Sequence, residues 1–120
     1  TARGAAYTFN HMVESNMQLD LLFAALADST RRSILARVAE AELSIGEIAG
    51  HYGLSFAAIS KHIKVLEKAR LVQKRRRGKQ QVVIILPDSL DIAQQHIARY
   101  AEMWGQRFDK LEDILKENKD

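Results

Sequence analysis

The chain has 120 residues, 47% hydrophobic and 28% charged, with a formal net charge of +3 and no cysteine. That length supports one domain with its own core, and a small enough one that an oligomer would add useful burial. No run approaches the roughly 20 apolar residues of a membrane span, no segment reads as a secretory signal, and without cysteine there is no disulfide framework or thiolate metal site, so a cytoplasmic chain is expected.

Residues 1–12 show no sustained period and no cap, and are expected to be a flexible leader ahead of a single domain over 13–120. From about Val13 the pattern turns helical: Leu19, Leu22, Phe23 and Leu26 recur at three- and four-residue steps, and a first helix ends near Ala27. Asp28 or Ser29 then caps a second helix, with Ile34, Leu35 and Val38 inward and Arg31, Arg32 and Arg37 in water. Ser44 and Glu47 have capping-box spacing, the hydroxyl accepting from the backbone N–H three residues on while the carboxylate reaches back. A third helix therefore starts at Ser44 and shows Ile48, Ala49 and Tyr52 as an apolar stripe, until Gly53 supplies the left-handed geometry that stops it. Leu54 is expected to plug the turn. Ser55 caps the next helix, which carries Ile59, Ile63 and Leu66 on one face and Ser60, Lys61 and Lys64 on the other.

The spacing of Ala49, Gly53 and Ile59 supplies what a helix-turn-helix needs: a small residue where two helices cross, a glycine in the turn, and a branched apolar residue to fix the angle. The pair spans 44–69. Leu71 and Val72 then open a strand, Gly78 is the residue that turns a hairpin, and Gln81 to Leu86 returns before Pro87 ends it. A two-stranded hairpin over 71–86, directly after a helix-turn-helix, is the wing of a winged helix. From Ser55 to Gln80 nine cations face the single acid Glu67, a local balance of +8 that leaves −5 for the rest of a chain whose total is +3. One basic segment on an acidic body is the footprint of a polyanion binder. Wing residues Arg75, Arg76, Arg77 and Lys79 suit a phosphate backbone, whereas Ser60 and Lys61, with Ser55 and Lys64 beside them, suit the major groove. Phe56 either contacts a thymine methyl or folds back as core; Ala57 either meets a methyl or allows close backbone approach. These residues predict the surface that reads double-stranded DNA.

Asp88 or Ser89 caps a last helix that reaches about Glu117, with apolar positions at Leu90, Ala93, Ile97, Tyr100, Trp104, Phe108, Leu111 and Leu115, nearly a heptad seam. At ~1.5 Å per residue it spans roughly 40 Å, longer than one face of so small a domain, so the overhang calls for the same helix of a second subunit about a twofold axis. The fold class is thus mainly α with a two-stranded wing: about five helices and a long dimerisation helix over 89–117. No catalytic constellation emerges. Ser60 and His62 are two apart on a helix and point to different faces, His11 and His51 stand apart from other ligands, and there is no phosphate-binding glycine loop. A pure protein–protein interaction or dimerisation module is the competing reading, but it has no need of the basic segment.

The stretch from Phe23 to Leu35 (FAALADSTRRSIL) resembles the opening signature of the ArsR/SmtB family of winged-helix regulators, with Ser29 where proline is common. Leu54-Ser55 followed by Ile59 to Leu66 (ISKHIKVL) resembles its recognition-helix signature, and Ala69-Arg70-Leu71-Val72 departs from the usual Ala-Gly-Leu-Val by one residue. The resemblance implies a homodimer joined through its first and last helices, here Leu19 and Leu22 with Ile97, Tyr100, Trp104, Phe108, Leu111 and Leu115. It further implies a repressor that binds inverted-repeat operators. Metal-sensing members place two cysteines where this chain has Ser44 and Gly46, and another branch needs two histidines of the last helix, where only His96 stands, with Asp91 and Glu102 not completing the set. No metal and no cofactor are therefore expected, which leaves a small molecule or a protein as effector class.

Overall fold

The computed structural model describes residues 16–118, so the leader expected at 1–12 lies outside the described residues. Among them, α1 covers residues 16–26. It is followed by α2 (Ser29–Glu40), β1 (Leu43–Ser44), α3 (Ile45–Tyr52), α4 (Phe56–Lys68), β2 (Val72–Arg77), β3 (Gln80–Ile85) and α5 (Asp88–Glu117). The chain divides into two compact units, the first ending at Ser89 and the second beginning at Leu90.

In the first unit, local chemistry places the helix ends where the sequence puts them. Asp28 is the N-cap of α2, its carboxylate accepting from the Arg31 N–H at 3.0 Å. Both halves of the Ser44–Glu47 capping box form, each at 3.1 Å. Gly53 closes α3 with φ 62° and ψ 27°, the region glycine enters without a Cβ clash. Leu54 stays 42% exposed, so it is less of a plug than expected. Side chains from every element meet inside: Leu22 and Ala25 of α1, Ile34 of α2, Ile48 of α3, Ile59, Ile63 and Leu66 of α4, and Leu71, Val72 and Val83 around the sheet. The core face of α4 is thus the Ile59–Ile63–Leu66 stripe, which turns the rest of that helix outward.

The sheet has three strands in the order β1-β3-β2, not the two expected. Leu43 pairs with Val83 and Ser44 with Val82, while β2 and β3 form the hairpin from Val72↔Ile85 to Arg77↔Gln80. Gly78, at φ 60°, takes the first central position of its two-residue turn. The third strand was illegible because it is two residues long and one of them is the N-cap. With φ −75° and ψ 158°, Ser44 is extended enough to pair by its backbone while its side chain caps α3. The wing is thereby hydrogen-bonded to the entrance of the helix-turn-helix.

All three arginines expected in water have structural partners. Arg31 donates to the Ala25 carbonyl at 2.8 Å and the Ala24 carbonyl at 2.9 Å, and Arg32 donates to Leu26 at 2.8 Å. Together they satisfy carbonyls at the end of α1, which its own ladder leaves open. Arg37 likewise donates to the Tyr52 hydroxyl at 3.1 Å and lies 5.4 Å from its ring centroid; Tyr52 also shares a 2.6 Å hydrogen bond with Ser33, joining α3 to α2.

The second unit is essentially the 30-residue α5. Its seam positions Ile97, Tyr100, Trp104, Phe108, Leu111 and Leu115 are each half exposed or more, with Trp104 at 67%. Trp104 and Phe108, one turn apart, meet edge to face at 5.5 Å between centroids.

Candidate nucleic-acid interface

The basic surface is built on α4 and the wing. Ser55 begins it as the N-cap of α4, its hydroxyl oxygen accepting from the Ala58 N–H at 3.1 Å. That fixes Phe56 and Ala57 as the leading residues of the helix. Because Ile59, Ile63 and Leu66 are fully buried, Ala57, Lys61, Lys64 and Lys68, on the other side, are exposed, and Ser60 is half-buried beside them. Phe56 is 61% exposed, which removes the core alternative: it stands a turn ahead of the buried stripe.

On the wing, Arg75, Arg76 and Lys79 are exposed and have no carboxylate partner among the described residues. Arg76 instead donates to the Gly78 carbonyl at 3.1 Å, a neutral contact that tightens the hairpin tip. Arg77 differs from its neighbours: its guanidinium lies 2.7 Å from the Glu42 carboxylate, just before β1. Lys74 reaches Glu67 of α4 at 3.6 Å. These two pairs hold the wing at both sides, to the β1 approach and to α4, and take two cations out of the set available to a polyanion.

Behind the surface, His62 of α4 faces the N-cap of α2. Its Nδ1 is 3.5 Å from Arg31 Nη1 and 4.0 Å from Asp28 Oδ2. The Asp28 carboxyl is held below its ordinary range, first by the Arg31 N–H it accepts from, against partial burial, and then by the charges of Arg31 and His62. Asp28, Arg31 and His62 thus bring the α2 cap against α4. Glu42 and Asp28 carried no sequence signal linking them to the surface, since their partners Arg77 and His62 lie far along the chain.

Of the expected dimer residues, Leu22 is corrected: it is 2% exposed and belongs to the protomer's own core, next to Ala25 on the same face of α1. Leu19 is half-buried. Among the described residues no three His, Asp or Glu side chains gather as a metal site, and no helix is long and apolar enough to cross a membrane.

Comparison with known proteins agrees with this geometry. The family model "Bacterial regulatory protein, arsR family" matches residues 28–74, from the α2 cap into the wing. The HTH-type transcriptional regulator Rv2034 of Mycobacterium tuberculosis is 40% identical over 81 residues, covering 68% of this chain and 76% of that protein. Among solved structures, an ArsR-like transcriptional regulator from Rhodococcus sp. RHA1 superposes with a TM-score of 0.77 at 28% identity, over 88% of this chain and 96% of that one. The homodimeric winged helix-turn-helix DNA-binding domain of a possible ArsR-family regulator from Mycobacterium bovis gives a TM-score of 0.62 at 27% identity, over 72% and 83% of the two chains.

Proposed function

This chain belongs to the arsR family of bacterial regulatory proteins and is a winged helix-turn-helix transcriptional regulator, and from that premise we propose that it works as a homodimeric repressor on an inverted-repeat operator. Each protomer lays the leading turns of α4 in the major groove, with Ser55, Phe56, Ala57, Ser60, Lys61 and Lys64 toward the bases and adjoining phosphates. The wing follows the backbone with Arg75, Arg76 and Lys79, Arg77 acting mainly as its brace. The observation that carries this reading is the set of exposed cations on α4 and the wing that lack a carboxylate partner among the described residues, on a chain whose remainder is acidic. Such a surface attracts phosphates by releasing their counterions, and the helix end adds base contacts.

The exposed seam of α5 supports the second half of the proposal. Large side chains left in water forfeit roughly 1.5–3 kcal/mol each, and a second α5 offers the complementary stripe. An inverted-repeat operator requires two α4 helices related by a twofold axis and about one helical turn of DNA apart, roughly 34–36 Å. The protein acts by binding in the cytoplasm and performs no catalysis. Selection from a random duplex pool, followed by isotherms on the selected and a scrambled duplex, is the test. The expected result is a palindromic site bound at least a thousandfold more tightly than scrambled DNA, roughly the lower end for specific binders. Equal affinity for both would defeat the specific reading and favour a protein–protein module.

A further inference from the structure

The leading turn of α4 carries an exposed aromatic where a polar reader of bases would be expected. Phe56 is 61% exposed, makes no aromatic pair among the described residues, and is followed by exposed Ala57. Ser55, immediately before it, already commits its hydroxyl oxygen to the Ala58 N–H at 3.1 Å. The tip of the helix therefore offers an apolar pair flanked by polar or basic residues, Ser60 a turn beyond Phe56 and Lys61 a turn beyond Ala57. A phenyl ring neither donates nor accepts in the pattern by which groove edges are distinguished. Of the groups those edges present, one is apolar: the C5-methyl of thymine.

Resting on the DNA-binding reading above, we propose that Phe56, backed by Ala57, is a specificity-determining residue that recognises the 5-methyl group of a thymine in each half-site. The cations flanking the tip suit a polyanionic duplex and not an apolar protein surface: Lys61 and Lys64 share its helix, and Arg75, Arg76 and Lys79 lie on the wing. Ala57 adds no bulk beyond its methyl, so the helix end can approach the groove floor closely enough for the ring to cover that methyl. Recognition is by shape and exclusion of water, with no hydrogen bond in the contact, so it separates T·A from C·G and separates thymine from uracil.

The test uses the full chain and the duplex recovered by selection, with thymines replaced one symmetric pair at a time by deoxyuridine, which removes the methyl and leaves the hydrogen-bonding edge intact. At one pair, the wild-type protein should lose about fourfold affinity per half-site, roughly fifteenfold for the dimer, as expected for one buried methyl. Phe56→Ala should bind the thymine and deoxyuridine duplexes alike, and Phe56→Leu should retain part of the preference. Thermal unfolding should be unchanged in both variants because the ring is exposed. Indifference of the wild type to deoxyuridine at every position would overturn the proposal, as would a Phe56→Ala protein that kept the full thymine preference. Failure of the selection to yield any preferred duplex would instead strike the DNA-binding reading itself and take this proposal with it.

Discussion

The wing carries four neighbouring cations that sequence treats alike and the fold does not, which makes salt dependence a direct probe of the structure. Each phosphate neutralised contributes about 0.9 to the slope of log K against log salt, so Arg76→Ala should lower its magnitude by about 0.9 per protomer and about 1.8 per dimer. The variant would then lose about twelvefold less affinity than the parent between about 50 and 200 mM salt. Arg77→Ala should change the slope by less than half as much, because its guanidinium is already 2.7 Å from Glu42. The pair is exposed and worth about 0–1 kcal/mol, so its loss should scarcely alter folding. Glu42→Ala provides the opposite sign: it releases Arg77 and should steepen the slope by up to about 0.9 per protomer while tightening binding at low salt. Fluorescence anisotropy on one duplex across a salt series reads all three. Equal loss of slope in Arg76→Ala and Arg77→Ala, or no gain in Glu42→Ala, would refute the assignment of Arg77 as a brace.

Trp104→Ala with Leu111→Ala should shift the protein toward monomer in sedimentation at micromolar concentration, each truncation costing roughly 2 kcal/mol or more at the centre of an interface; a wild-type monomer would remove the premise. Arg70 sits at φ 58° directly after the C-cap of α4, where an L residue costs about 1–2 kcal/mol and glycine's extra unfolded freedom takes back part of the gain. Arg70→Gly should therefore stabilise by roughly 0.5–1 kcal/mol, about 2–5 °C in Tm by calorimetry, and a lower Tm would contradict it. The Asp28 carboxyl is depressed in the folded state, so the stability it contributes is fully present above its ordinary value near 3.8 and is lost as pH falls through the lowered one. Asp28→Asn should flatten that part of the acid limb in pH-dependent unfolding, and an unchanged limb would show that the cap is not linked to pH. Calorimetric titration with zinc, cadmium or arsenite should show no tight stoichiometric binding coupled to DNA release, since Ser44 and Gly46 hold the thiolate positions.

Sequence alone determined what is decided within a few residues. The Ser44 and Ser55 caps, the Gly53 and Gly78 turns, the buried stripe of α4 and the seam of α5 are local, because capping and helical periodicity act over three or four residues. Hence the helix-turn-helix, the hairpin and the basic segment could all be read from the chain. Tertiary structure decided which residues face one another across longer separations. It placed Glu42 against Arg77, and it set Arg31 31 residues before His62 yet within 3.5 Å of it, while also joining Arg31 to the carbonyls ending α1. It recruited Leu43 and Ser44 as a third strand, and moved Leu22 from an expected interface into the core. It left Phe56 exposed, a choice periodicity could not make at the first residue of a helix. In each case the deciding term is a contact between segments whose approach depends on the packing of the whole core, and no local spacing encodes it.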